Sequence, residues 1–539
     1  MAMPTLPVVA KSALFIAFSI LLTISLFTSF PFQIPNFLPI TTTTTPNPSS
    51  HPIITIPDPP DPTFYDESTL SYSVGRPIPD WDAKRARWLN LHPSFSVEKN
   101  RVILVTGSQP SPCRHPTGDH LLLRMFKNKV DYCRIHGHEI FYNDALLHPK
   151  MTGYWAKYPI IRAAMVARSE AEWVWWVDSD AVFTDMGFRI PFEKYKGYNL
   201  VVNGWKELVY GEKKKSWTGL NAGVLLIRNC EWSMELIDEL VKMGPQSAEY
   251  ADWGKRQKEV LKDKLFLEAD DQSGLIYLLI NNGTGAGKGR EFREKVYLED
   301  EYDFQRYWLD RVGSFENVTR DYDDVLEGKD GGVLRRRHAE GVSQFYGGML
   351  EERIKEWDCK KRRSLITHFT GCEPCSGEHN PMYSWGDCYD GMVKALNFGD
   401  NQVLRNYGEK VYLEDEYDFQ RYWLDRAGSF ENLTRDYDDV LEGKNGGVLR
   451  RRHAEGVSEF YDEMLAERIK EWDRSKRRSL ITHFTGCEPC SGEHNPMYSW
   501  EDCYEGMVKA LNFADNQVLW NYGFVRRDLM DSSRVSPLP

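Results

Sequence analysis

The stretch Trp173–Phe183, WVWWVDSDAVF, limits the possible folds more than any other part of the chain. Large apolar side chains in an unbroken run, without polar alternation, need cover on both faces. A strand finds that cover inside a parallel sheet flanked by helices. The run therefore predicts a buried parallel strand in an α/β domain, with Asp178 and Asp180 at its carboxyl end. In open α/β sheets that end opens on the ligand crevice, and residues two apart on a strand point the same way. Asp-Ser-Asp is also good turn chemistry and could merely end the strand. The apolar run ahead of it favours a site, because two converging carboxylates call for a cation. Carboxylate oxygens suit Mg or Mn, which complete their shells with substrate phosphates, so a bound nucleotide diphosphate is expected.

The 539 residues, 41% hydrophobic and 13% aromatic, allow a sizeable core and more than one domain. A net charge of −12 with only short basic runs argues against nucleic acid as a partner. From Ser12 to Phe32 there is no charge, and the span is long enough to cross a bilayer. It is long for a cleaved signal peptide and lacks a clear small-x-small site after it. Lys11 precedes it and no Lys or Arg follows before Arg76, which places the amino terminus in the cytosol. The expected order is a cytosolic tail (1–11), a transmembrane signal anchor (12–32) and a Pro/Thr-rich lumenal stem (33–79) that cannot bury enough surface to fold. Sequons at Asn282, Asn317 and Asn432 agree with a lumenal glycoprotein. This organisation is that of a single-pass type II protein of the Golgi membrane.

The carboxyl-terminal half is duplicated. The segment from Glu294 to Gly408 recurs 115 positions later, from Glu409 to Gly523, without insertion or deletion. About nine residues in ten are identical, far closer than solenoid repeats, which marks a recent duplication or an error in gene assembly. The catalytic domain is expected over 80–408, including the first copy (294–408), with the second copy (409–523) as a surplus lobe and 524–539 as a tail. Each copy carries LITHFTGCEPCSGEHNPMYSW, a β-branched strand ending in His368 or His483. Histidine followed by Cys-x-x-Cys could suggest zinc. One tight pair per copy, with Cys372, Cys375 and Cys388 in an oxidising lumen, is more simply disulfide chemistry. A strand-end histidine near Asp178 and Asp180 could serve as a third metal ligand.

Two further stretches bear on the site. RVILVTGSQP begins the lumenal domain with a strand, Val102–Val105, and a turn at Thr106, Gly107 and Ser108 that could contact a nucleotide. LEADDQSGLIYLLI places Asp270, Asp271 and Gln272 at the head of an apolar helical run. An aspartate there can simply cap the helix, or it can orient an acceptor hydroxyl.

Together VTGSQP, GDHLLLRMFKNKVDYCRIHGHEIFYN, YWAKYPIIRAAM, WWVDSDAVFTDM, SWTGLNAGVLLIRN, DDQS, HFTGCEPC and ALNFADNQVL closely resemble the plant α-glycosyltransferases of family 34. That family includes galactomannan galactosyltransferases and xyloglucan xylosyltransferases. The resemblance runs from about Asp80 to Gly408 and again through the duplicate. It implies a GT-A fold, a Rossmann-like mixed sheet flanked by helices, and Mn2+-dependent retaining transfer from a UDP-α-sugar in cell-wall polysaccharide synthesis. Carried over by motif, Asp178 and Asp180, with Ser179 between them, hold metal and nucleotide sugar. His368, or alternatively His483, completes the metal shell. Asp270, Asp271 and Gln272 line the sugar and acceptor side as catalytic residues, and Thr106, Gly107 and Ser108 face the nucleotide. SWTGLNAG and HFTGCEPC look closer to the galactomannan branch, so UDP-galactose and a β-1,4-mannan acceptor are expected, with UDP-xylose onto xyloglucan as the alternative. Readings of other classes are a non-catalytic scaffold of a polysaccharide synthase complex and a hydrolase using Asp270 and Asp271. Adjacent carboxylates do not readily flank one glycosidic bond.

Overall fold

The computed structural model describes residues 70–96, 100–212, 215–281, 292–300, 305–327, 352, 354, 355, 357, 362–404, 420–422, 481–484, 487–496, 498–519 and 522–537. The apolar span 12–32, stem residues 33–69, Asn282 and Asn432 lie outside them. No helix among the described residues is long and apolar enough to cross a membrane.

The apolar run forms β3 (Trp173–Val177), all five residues buried. It lies inside a six-stranded sheet with β1 (Val102–Gly107), β2 (Glu139–Asn143), β5 (Leu200–Gly204), β6 (Leu220–Arg228) and β7 (Val296–Glu299), in the order β2-β1-β3-β6-β5-β7. β3 runs parallel to β1 and antiparallel to β6, so the sheet is mixed and the expected parallel strand is parallel on one side only. Both faces are covered, and alternate residues serve different cores. Trp173, Trp175 and Val177 pack with Tyr132 and Cys133 of α2 (Gly118–His136). Val174 and Trp176 pack with helices α3 (Lys157–Ala167), α4 (Glu231–Val241) and α6 (Asp271–Asn281). Two-sided cover is why the strand shows no polar alternation. α2 stops at Gly137, whose φ of +68° provides the left-handed cap that closes a bond to Cys133 O.

A second sheet carries the rest of the site. β4 (Ala181–Phe183) pairs antiparallel with β9 (Ile366–His368), and β9 pairs parallel with β8 (Arg306–Tyr307). The register sets Ala181 opposite His368. After β9 the first copy continues into α7 (Trp385–Leu404), packed against α2 and β4. Cys113–Cys375 ties it to the amino-terminal half, and Cys372–Cys388 closes its own loop.

The second copy repeats part of this. β10 (Gln420–Tyr422) and β11 (Ile481–His483) pair parallel as β8 and β9 do, and Cys487–Cys503 matches Cys372–Cys388. Among the described residues this sheet has two strands, since the sequence of β4 occurs once. Cys490, the counterpart of Cys375, is free and exposed, because Cys113 is taken.

Three boundaries differ from the sequence reading. β1 runs on through Thr106 and Gly107, because Gly107 still pairs with Asn143. Residues assigned to the stem already belong to the folded core, where Val74 and Ile78 are buried. The second copy and the tail also reach into that core. Leu519 at the end of α8 (Trp500–Leu519), Tyr522 and Phe524 join it, with Tyr522 stacked on Phe141 at 3.7 Å. In α7, Asp400 binds Arg124 and Lys127 of α2, whereas the matching Asp515 in α8 binds Arg526 of the tail, which also reaches Asp144. Helices alike at 17 of 20 positions thus have different partners.

Candidate active site

Asp178 follows β3 directly, its N–H bonded to Gly223 O (2.8 Å) and its Oδ1 accepting from Trp176 Nε1 (2.5 Å). Two residues on, Asp180 precedes β4. The turn between them is held from below by Lys129 of α2, a buried side chain whose Nζ donates to Ser179 O (3.1 Å) and Ala181 O (2.7 Å). Burial lowers the Lys129 ammonium to about 8 against the pull of Asp180 and Asp178. β9 delivers His368, whose Nε2 is 3.2 Å from Asp180 Oδ1 and 3.8 Å from Asp178 Oδ2. One ligand atom from each of the three lies within 4.8 Å of the others.

These residues fit a divalent ion, because two carboxylates and an imidazole nitrogen converge with room kept open beside them. A Cβ at Gly223 would stand 2.2 Å from His368 Cε1 and 2.6 Å from Asp178 Oδ2, so glycine is what lets β6 approach the cluster. Without an ion, burial works against the His368 charge, yet Asp180 and Asp178 hold its pKa above the ordinary value. Burial likewise opposes ionisation of Asp180, but His368 holds its carboxyl below the usual range. The imidazole and the carboxylates thus stabilise one another's charge, and a divalent ion held here would take over that compensation. On the far side of the ring, Nδ1 meets Gln305 Nε2 at 2.8 Å, with Thr370 Oγ1 at 3.3 Å.

Asp270 and Asp271 are neighbours with different duties, because α6 begins between them. Asp270 caps the helix: Oδ1 accepts from Ser273 N (2.8 Å), and Oδ2 accepts from Ser273 Oγ (2.6 Å) and Lys264 Nζ (2.5 Å). Asp271 instead meets Lys157 Nζ at 2.9 Å and Tyr158 OH at 3.3 Å. Lys157 is buried, stands 3.5 Å from Asp178 Oδ1 and donates to Ala222 O (2.9 Å), so one ammonium joins the metal side to the Asp271 side. Burial opposes its charge, but Asp178 and Asp271 raise it to about 12. Burial pushes the Asp271 carboxyl up, and Lys157 limits that rise. Gln272 links two more segments, accepting from Ala222 N (3.1 Å) and donating to Trp217 O (2.7 Å).

Thr106 and Gly107 end β1 beside β3. Val105 pairs with Trp176, so Gly107 and Asp178 each stand two residues further along the parallel pair. Thr106 Oγ1 is buried without a hydrogen-bond partner, Gly107 lies so close to Asn143 O that a Cβ would be 2.1 Å away, and Ser108 Oγ meets Tyr142 OH at 2.7 Å. His483 lies on β11, and the only group of potential metal ligands among the described residues is the one containing His368. Asn317 is exposed on the helix Phe315–Glu327. Lys157, Lys129, Gln305 and Gly223 were not singled out from sequence. YWAKYP and LNAG held the signal for two of them, a lone lysine at the head of an apolar helix and a glycine within a strand.

The sequence profile of the galactosyl transferase GMA12/MNN10 family matches residues 98–379. Galactomannan galactosyltransferase 1 of Cyamopsis tetragonoloba is 57% identical over 352 residues, covering 65% of this chain and 78% of that protein. Glycosyltransferase 6 of Arabidopsis thaliana is 56% identical over 357 residues, covering 65% and 80%. "Probable xyloglucan 6-xylosyltransferase 1" of Oryza sativa subsp. indica is 42% identical over 341 residues, covering 62% and 67%.

Proposed function

Since this chain belongs to the galactosyl transferase GMA12/MNN10 family, and so is a glycosyltransferase, we propose that it transfers an α-galactosyl residue from UDP-galactose to a β-1,4-mannan backbone. In this reading the enzyme has the GT-A fold, retains anomeric configuration, uses Mn2+, and works in the Golgi lumen on a type II anchor. The higher identity to a galactomannan galactosyltransferase than to a xyloglucan xylosyltransferase supports galactose as donor sugar and mannan as acceptor.

The observation that carries the reading is the convergence of Asp178, Asp180 and His368 within 4.8 Å, joined through Lys157 to Asp271. The three ligands would hold the ion, which when bound supplies Lewis-acid stabilisation of the charge developing on the departing diphosphate. Lys157 bridges Asp178 and Asp271 and opposes the rise that burial imposes on the Asp271 carboxyl. Asp271, aimed by Tyr158 and Lys157, offers a carboxylate to orient an acceptor hydroxyl or to steady positive charge at the anomeric carbon. Asp270, engaged by Ser273 and Lys264, is a positioning residue for α6. That leaves one available carboxylate where hydrolysis of a glycosidic bond needs two, which weighs against the hydrolase reading.

The test is a donor panel on the full-length protein in detergent: UDP-galactose, UDP-xylose and UDP-glucose with manno- and cello-oligosaccharides, with and without Mn2+. Manganese-dependent galactosylation of manno-oligosaccharides is expected. Preference for UDP-xylose on cello-oligosaccharides would move the chain to the xylosyl branch, and no turnover with any pair would favour the scaffold.

A further inference from the structure

Beside the carboxylates lies an aromatic and apolar rim to which the catalytic roles above give no task. Trp217 and Phe266 are both half-buried and meet edge to face, their centroids 5.7 Å apart at 83°. Leu265 and Leu267, on either side of Phe266, are 78% and 62% exposed. The rim is fixed to the site at both ends. Gln272 donates to Trp217 O (2.7 Å), and Lys264, which binds Asp270 at 2.5 Å, sits 3.4 Å from the centroid of the Phe266 ring. Trp217 N–H is held in turn by Asp263 Oδ1 (3.0 Å). A tryptophan gripped at its backbone N–H and C=O and braced by a second ring loses little freedom on binding, which suits it to be a rigid platform.

We infer that Trp217 and Phe266 form an acceptor platform, on which the sugar rings of a β-1,4-linked polysaccharide stack next to the residue being substituted. The inference rests on the proposed function, in which the acceptor is such a polymer. A neutral polysaccharide has no charge to be read, and its apolar C–H faces find cover on aromatic rings with a few polar groups setting orientation. The cation packed on the Phe266 ring, Lys264, is already committed to Asp270. Exposed apolar surface tied through Gln272 and Asp270 to the head of α6, where Asp271 stands, marks a binding surface.

The experiment measures binding and kinetics of full-length Trp217→Ala, Trp217→Tyr and Phe266→Ala against mannohexaose, mannotriose and, as control, maltohexaose. Loss of one stacked ring should weaken mannohexaose binding and raise its KM roughly tenfold, with Trp217→Tyr keeping most of the affinity. The KM for UDP-galactose should stay within about twofold of the parent. Mannotriose should lose less, because a shorter chain covers less of the platform. Mannohexaose binding unchanged in both alanine variants, or donor KM rising as steeply as acceptor KM, would overturn the platform. If the parent itself binds neither manno- nor cello-oligosaccharides, the acceptor reading fails instead. If Trp217→Ala does not fold, Phe266→Ala decides the question.

Discussion

Replacing Lys157 by methionine would remove a charge while keeping most of the length and apolar body of the side chain. The ammonium is 3% exposed and lies 2.9 Å from Asp271 and 3.5 Å from Asp178. Asp271 is itself 7% exposed, so the variant strands a carboxylate that water solvates poorly. Breaking a buried pair by deleting one partner typically costs about 3–5 kcal/mol. The loss should depend on pH, with a definite sign. Burial already raises the Asp271 carboxyl, and the Lys157 ammonium beside it does most to hold it down. Without Lys157 its folded-state pKa rises further above the unfolded value, so the stranded charge takes up a proton as pH falls through that higher folded value. The deficit should be full at pH values above it and shrink on acidification towards the unfolded pKa of about 3.9. Urea unfolding followed by tryptophan fluorescence, on parent and variant in alkaline and in mildly acidic buffer, reads this directly. A deficit under about 1 kcal/mol, or one of equal size in both buffers, would refute the account of Lys157 as the compensating charge.

His368→Ala should abolish manganese-dependent transfer while His483→Ala stays within about twofold of the parent; the reverse pattern would put the second copy in the site. Gln305→Leu removes the nearer of the two partners of His368 Nδ1, 2.8 Å away, and should weaken metal affinity about 10–100-fold in a competition titration. An unchanged affinity would show that the ring is oriented by other contacts. A chain starting just before Leu70 should be as stable as the full protein, whereas one starting at Trp81 loses the buried Val74 and Ile78, worth about 1.5–3 kcal/mol each. Equal unfolding midpoints for the two would show that the segment adds nothing.

The parts of the site carried by a single stretch of chain were legible. WVWWV formed the buried strand, and the two aspartates emerge where alternate residues of a covered strand must aim. His368 likewise ends a strand of three residues. Asp270 and Asp271 were read as a pair because the sequence shows them side by side, but the start of α6 between them sends one to Ser273 and the other to Lys157. Lys157 could not be assigned to Asp271, more than a hundred positions away, without knowing that α3 and α6 pack on the same sheet face. The partner of Cys375 was equally remote, 262 residues upstream. The duplication was plain from sequence. That α7 would serve α2 and α8 the tail depends partly on sequence flanking the copies and partly on one small difference between them: a Cβ at Gly399 would stand 2.8 Å from Phe183 O, and the matching residue of α8 is Ala514.

The bond between Cys113 and Cys375 places the contest between the two copies in time. The chain is made from its amino terminus, and Cys490 leaves the ribosome 115 residues after Cys375. At roughly 5–20 residues per second that is a head start of about 6–23 s, during which Cys113 has only the first copy's cysteines from the duplicated half to meet. Synthesis presents the two lobes in sequence, and the first arrival is locked covalently. The order of translation and the difference between Gly399 and Ala514 act in the same direction, since a Cβ at 399 would stand 2.8 Å from Phe183 O, and both favour His368 before Asp178 and Asp180. Protein refolded from the reduced, denatured chain has lost that head start and keeps only the difference in fit.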